Sequence, residues 1–129
     1  MAKIDVRINT NDDITVFTAE GLLSAEEIEE FSTQYYTKIP TKNVLWDARN
    51  ATVVEISPDE FRKIAKIMKE STLHRKFGKT AFVNDNNEDY DMGKLYEGLA
   101  IVEKLPVRYR VFRNMADAEN WLSQKNEHA

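Results

Sequence analysis

Along the start of the chain, Ile4, Val6 and Ile8 alternate with Lys3, Asp5, Arg7 and Asn9, the period of two of a strand with one wet face. The turn TNDD follows, and Ile14, Val16 and Ala19 carry the alternation on to Gly21. Residues 3–20 therefore read as a β-hairpin whose wet first strand belongs at a sheet edge. The period then lengthens. Ser24 stands three residues before Glu27, the spacing of a capping box, and Ile28, Phe31 and Tyr35 share one side of the helix that it starts. Pro40 ends that helix, with Tyr36 half-exposed beside the apolar stripe.

The next run, NVLWDA (43–48), lacks alternation, as expected of a central strand covered on both faces. Val53, Val54 and Ile56 lead to a junction, after which Phe61, Ile64, Ala65 and Met68 mark one face of a second helix, widened by Ile67. KTAFVN (79–84) reads as another buried strand. Residues 89–105 give a third helix with Met92, Leu95, Tyr96, Leu99 and Val102 in register, closed by Pro106. Val107, Tyr109 and Val111 mark a last strand, and 116–124 a final helix anchored by Ala118, Trp121 and Leu122, with the tail KNEHA frayed beyond it. The order is ββαβαβαβα. Strands separated by helices imply right-handed crossovers, so the fold class is α/β, a largely parallel mixed sheet with an antiparallel hairpin at one edge. With no repeat or linker, the 129 residues read as a single domain spanning 1–129.

The chain has no cysteine, which removes disulfides, thiolate metal sites and cysteine nucleophiles together. Its start lacks the apolar run of a signal peptide, and no segment approaches the roughly 18 apolar residues of a membrane span, so a cytoplasmic protein without stable membrane insertion is expected. A net charge of −4 argues against nucleic acid as a partner. Two short basic clusters, LHRKFGK (73–79) and RYRVFR (108–113), read as solvated charge beside buried strands.

Candidate chemistry is sparse. NDNNEDYD (84–91) is rich in oxygen ligands, but no register supplies both the glycine and the glutamate of an EF-hand, so it reads as a turn and helix cap. His74 and His128 are the only histidines, and nothing in the sequence places either beside a nucleophile. No carboxylate pair is singled out by an apolar setting, and no glycine-rich phosphate loop is present. No metal site, cofactor or catalytic residue is assigned, and the chain reads as a non-enzyme. Phe31, Tyr35, Trp46, Phe61, Phe82, Tyr96 and Trp121 either fill a solid core or leave an apolar pocket between the second and third helices, with Phe61, Met68 and Tyr96 as its walls. The segment SPDE places an N-cap at Ser57, proline at the first helical position and Glu60 at the capping-box position.

This order, with VLWDARNATVVEISPDEFRKI at its middle, resembles the STAS domain and especially the SpoIIAA-like family of small bacterial proteins. GKTAFV, YDMGKLYEGL and VRYRVFRNMADAENWL carry the likeness further, over nearly the whole chain. The resemblance implies a regulatory module that binds a protein partner, an anti-sigma-factor-like kinase or another regulator. It places Ser57 as the phosphoacceptor, within a partner surface of Glu55, Ser57, Asp59 and Arg62. Ile56 and Pro58 stand where the antagonists carry a hydroxyl residue and a glycine. The family is also grouped by fold with lipid-binding domains of the CRAL-TRIO type, which implies as the alternative a carrier or sensor of a small apolar, lipid-like ligand. The edge strand offers a surface for a homodimer, because unpaired edges invite pairing.

Overall fold

In a computed structural model that describes residues 2–124, the wet strand stands at the edge of a five-stranded sheet. Strand β1 (Ala2–Asn9) pairs antiparallel with β2 (Ile14–Leu23). Beyond it β3 (Asn43–Val53), β4 (Lys79–Val83) and β5 (Arg108–Phe112) follow in order, all parallel to β2. The helices are α1 (Ala25–Tyr35), α2 (Pro58–Ser71), α3 (Asn87–Val102) and α4 (Met115–Ser123), in the expected ββαβαβαβα order. Each crossover advances the sheet one strand in the same direction, so crossovers of equal hand put α1, α2 and α3 on one face. The final helix α4 covers the other, where Leu45, Ala81, Val83 and Phe112 meet Ala118, Trp121 and Leu122.

The three-helix face holds most of the aromatic packing. Phe17 on β2 lies 4.8 Å from Trp46 on β3 and meets Phe31 of α1 edge-on at 5.0 Å, ring-centroid distances at which aromatic pairs add to area burial. β2 is covered on both sides: Thr15, Phe17 and Ala19 face α1 and α2, whereas Ile14 and Val16 pack toward α4. The expected single row Ile14, Val16, Ala19 is thus split between two faces, because the strand has a parallel neighbour and helices on either side.

Three further expectations are corrected. Tyr36 is buried, and its hydroxyl accepts a 2.6 Å hydrogen bond from Trp46 Nε1, so its polar end is satisfied inside the core. Its half-exposed neighbour is Tyr35, stacked on Phe31. On α3, Leu95 and Val102 are exposed, while Gly93, Tyr96 and Ala100 are buried. The helix turns its small residues to the sheet so that it can approach β5 closely.

In the basic cluster 73–79 Lys76 is exposed, but the other two cations are not solvated charge. Arg75 and Lys79 are each only 1% exposed. The Arg75 guanidinium donates to the carbonyls of Lys42 (3.0 Å) and Lys79 (3.1 Å) and to Thr80 Oγ1 (3.1 Å). Burial pulls its pKa down to about 10, still well above neutrality. Lys79 Nζ donates to the carbonyls of Trp121 (2.9 Å) and Gln124 (2.7 Å) at the end of α4, where a cation suits the helix dipole. Asn43 joins this clamp, its Nδ2 donating to Leu122 O at 3.2 Å and its Oδ1 accepting from Lys79 N at 3.0 Å. The second cluster does face water, with Arg108 and Arg110 lying over the Trp121 ring. The tail KNEHA and His128 lie outside the described residues.

Two glycines of α3 give a test of the packing. A Cβ at Gly93 would meet Val111 Cγ2 at 2.7 Å, whereas one at Gly98 would meet nothing within 4 Å. Gly93→Ala is expected to lose about 1–3 kcal/mol by overpacking, and Gly98→Ala to gain about 0.5–1 kcal/mol from helix propensity. Urea unfolding of both variants checks this, and shifts of equal sign would contradict the placement of α3.

Candidate functional site

The central strand leads directly to the candidate site. β3 pairs with β4 over Val44 to Asp47 and then continues to Val53 with β2 alone. Where β4 has ended, α3 supplies the missing acceptor. Asp89, 3% exposed, takes the Val53 amide at 3.1 Å and Asn86 Nδ2 at 3.0 Å on its Oδ2. Asn86 caps α3 in turn, accepting from Asp89 N at 2.8 Å. The end of β3 and the start of α3 are therefore fixed to each other by one carboxylate.

After a short exposed loop the chain enters α2 through the expected cap. Ser57 has extended backbone, and its hydroxyl oxygen accepts from Glu60 N at 3.2 Å. The Glu60 carboxylate accepts from Ser57 N at 2.9 Å, and Pro58 occupies the first helical position, where its missing N–H costs nothing. Glu55, Ser57, Asp59 and Arg62 are all exposed and lie together around this helix start. Arg62 already donates to Asp59 at 2.8 Å. The local surface carries Glu55, Asp59 and Glu60 against Arg62 and Lys63, so an added phosphate would meet the first-turn N–H groups of Asp59 and Glu60 but also repulsion from its neighbours.

Beneath that junction lies a partly open apolar cavity of about 70 Å³ between the sheet, α2 and α3. The predicted pocket residues Phe61, Met68 and Tyr96 all line it, with the Phe61 and Tyr96 rings stacked at 5.8 Å. Ile56, one residue before the cap, and Val53, held by Asp89, form the wall shared with the Ser57 loop. Tyr96 meets Tyr109 edge-on at 4.6 Å, and burial raises the pKa of both hydroxyls, so they remain neutral. Tyr36, whose pKa burial pushes up to about 12, is neutral too.

Two polar residues of this cavity were not singled out in the sequence. Asn84 is fully buried and lines it, and so does Asp89. The signal for Asn84 was its spacing: Thr80, Phe82 and Asn84 continue one strand face at period two, so the residue had to turn inward beside Phe82. Asp89 was legible as part of a helix start but not as a tie to a strand 36 residues earlier.

Other chemistry is not assembled. Among the described residues no group of three His, Asp or Glu side chains is placed to hold a metal ion. His74 sits beyond the far end of α2, its Nε2 2.9 Å from Ile39 O. The 14 residues of α2 span about 21 Å, which separates His74 from Ser57 and rules out a Ser57–His74 pair. No helix among the described residues is long and apolar enough to cross a membrane.

Comparison with known proteins gives the fold a context. The SpoIIAA-like family model matches residues 14–123. An uncharacterised protein of Shewanella loihica with a SpoIIAA-like fold superposes with a TM-score of 0.58 at 16% identity, covering 94% of this chain and 93% of that one. The anti-sigma factor antagonist SpoIIAA in its unphosphorylated form gives 0.54 at 9% identity over 92% and 94% of the two chains. The Bacillus cell fate determinant SpoIIAA in its phosphorylated form gives 0.52 at 11% over 93% and 99%. At these identities the structures share the fold alone. No curated protein sequence matches the chain.

Removing the two anchors of the site has unequal expected costs. Ser57→Ala deletes a solvent-facing cap worth about 1 kcal/mol, whereas Asp89→Ala strands a half-buried amide and a side-chain donor, at about 2–3 kcal/mol. Chemical denaturation of both variants checks the ranking, and an Asp89→Ala loss smaller than that of Ser57→Ala would contradict it.

Proposed function

This chain belongs to the SpoIIAA-like family, and from that premise we propose that it is a non-enzymatic regulatory module that binds a protein partner through the surface around the start of α2. The observation that carries this reading is the placement of Ser57: an exposed hydroxyl at the helix start that directly follows the central strand, in a fold shared with an anti-sigma factor antagonist solved in unphosphorylated and phosphorylated forms. Glu55, Ser57, Asp59 and Arg62 form the contact surface, and Ser57 is its phosphoacceptor. The partner is a kinase of the anti-sigma-factor type or a comparable regulator, met in the cytoplasm. The whole chain acts as one domain, and no step of the reading requires a cofactor.

The capping box sets how a phosphate would act. Ser57 Oγ holds the Glu60 amide of the first turn, and the Glu60 carboxylate holds the amide of Ser57 itself. A phosphate on Oγ would compete with Glu60 for those N–H groups, releasing a carboxylate onto the surface and adding close to two negative charges. The effect would be a local change of charge and cap, with the core untouched.

The cavity supports a second reading, a carrier or sensor of a small apolar molecule. Phe61, Met68 and Tyr96 line space that close packing leaves unfilled, under the same loop that presents Ser57. The homodimer through β1 has a favourable register as well. Antiparallel self-pairing centred on Val6 sets Asp5 opposite Arg7 and Ile4 opposite Ile8, although Val6 and Ile8 are only about half exposed.

Intact mass of the protein isolated from its own cells, under native and then denaturing conditions, tests both readings. An added phosphate that survives denaturation and maps to Ser57 is the expected result for the switch, and a small molecule lost on denaturation is expected for the carrier. Ser57→Asp is expected to stay folded and to change partner binding, whereas Phe61→Asp, which puts a charge at an 8%-exposed core position, is expected to unfold the chain. Unchanged binding by Ser57→Asp to every partner captured by the wild-type protein would rule out the switch.

A further inference from the structure

Positive charge gathers along the outer edge of β5, in a chain whose net charge is −4. The strand has a neighbour on one side only. Along its other side run two grooves that share Lys94, Arg110 and Trp121 and so form one continuous surface. Five exposed cations line it: Lys94, Lys104, Arg108, Arg110 and Arg113. Among the described residues Lys94 alone of the five meets a carboxylate, that of Glu97 at 3.4 Å, and the other four stand without a carboxylate partner.

The three arginines are held over aromatic rings. The guanidinium of Arg108 lies 5.7 Å from the centre of the Trp121 ring and that of Arg110 6.0 Å. Arg113 lies 4.0 Å over Tyr90, its Nη1 donating to Asn87 Oδ1 at 2.7 Å. A guanidinium placed in this way loses less freedom when a carboxylate takes its N–H fork. One carboxylate already shows what the edge accepts: Glu97 takes the Val111 amide on Oε2 at 3.1 Å, beside Lys94.

We propose that the β5 edge is a second docking surface, for an extended acidic segment of a protein partner whose carboxylates engage Arg108, Arg110 and Arg113. Arg108 and Arg110 stand two residues apart on one face of the strand, a repeat of about 6.6 Å at which alternate side chains of an extended peptide also recur. A nucleic acid fits less well. Bases stack on open aromatic faces, whereas Trp121 is 5% exposed and lies beneath the arginines, and the net negative charge of the chain repels a longer polyanion. Arg108 and Arg110 share the α4 face with Phe112, opposite α2. The surface therefore stands apart from the one around Ser57 and does not rest on that reading.

The test titrates the full chain into fluorescein-labelled hexaglutamate at low ionic strength and reads anisotropy, with backbone amide resonances as the map of the site. Saturable binding that weakens as salt is added, with shifts centred on residues 108–113, is the expected result. Arg110→Glu is expected to weaken binding about tenfold or more, and Ser57→Asp to leave it unchanged. If Arg110→Glu does not fold, Arg108→Glu, at another exposed position, carries the same expectation. The proposal is overturned if hexaglutamate does not bind, if the charge-reversed variant binds it as tightly as the wild-type protein, or if the shifts centre elsewhere on the chain. A thymidine hexanucleotide of comparable charge separates a peptide site from a general anion site. Unlabelled hexaglutamate is expected to displace the labelled peptide at lower concentration than the oligonucleotide does, and the reverse order overturns the choice of partner.

Discussion

Main-chain carbonyls gripped by buried donors at one end of the sheet are the constraint on which this structure depends. Arg75 and Lys79 take carbonyls from the entry to β3, the start of β4 and the last turn of α4, and Asn43 joins the same group. A buried cation is costly unless its donors find acceptors, and here carbonyls at strand starts and a helix end take the Lys79 ammonium and the Nε and Nη2 of Arg75, leaving Arg75 Nη1 without a partner. The lone helix on the second face is fixed by this clamp as well as by Trp121 and Leu122. The crowding is tight enough that Gly78, between the two cations, has no room for a side chain: a Cβ would stand 2.1 Å from Lys42 O.

With the amino-terminal ends of the parallel strands held there, their carboxyl ends are left to carry loops, the usual location of sites in open α/β sheets. Ser57, the Asp89 tie and the cavity all lie at that end. They share walls, since Ile56 is both the residue before the cap and part of the cavity lining. Any molecule in the cavity would press against the segment that presents Ser57, so the protein-binding and carrier readings describe adjoining parts of one region.

Much of this was legible from local pattern. The capping boxes at Ser24 and Ser57 depend on residues three apart, the apolar stripe of α2 on a single helix, and the central position of β3 on a near-continuous run of apolar residues. What escaped was set by distant partners. Arg75 and Lys79 looked like surface charge because their acceptors are backbone carbonyls, which every residue has and no sequence pattern marks. Leu95 and Val102 fit a helical register as well as Gly93 and Ala100 do, and only the nearness of Val111 decides which row turns inward. The pocket walls followed from helix periodicity, but its polar lining did not, because Asn84 and Asp89 matter through what they face across the fold.

The unequal lengths of β3 and β4 grade the central strand along its own axis. Its first half has a strand on each side, whereas residues 48–53 have β2 on one side and no strand on the other, where Asp89 takes the Val53 amide. Local opening follows the density of such contacts, so protection from solvent exchange should decline along one continuous strand. The same element is thus rigid where it anchors the sheet and compliant where it delivers the chain to Ser57, a mechanical gradient that leaves the recognition end free to adjust while the rest keeps its shape.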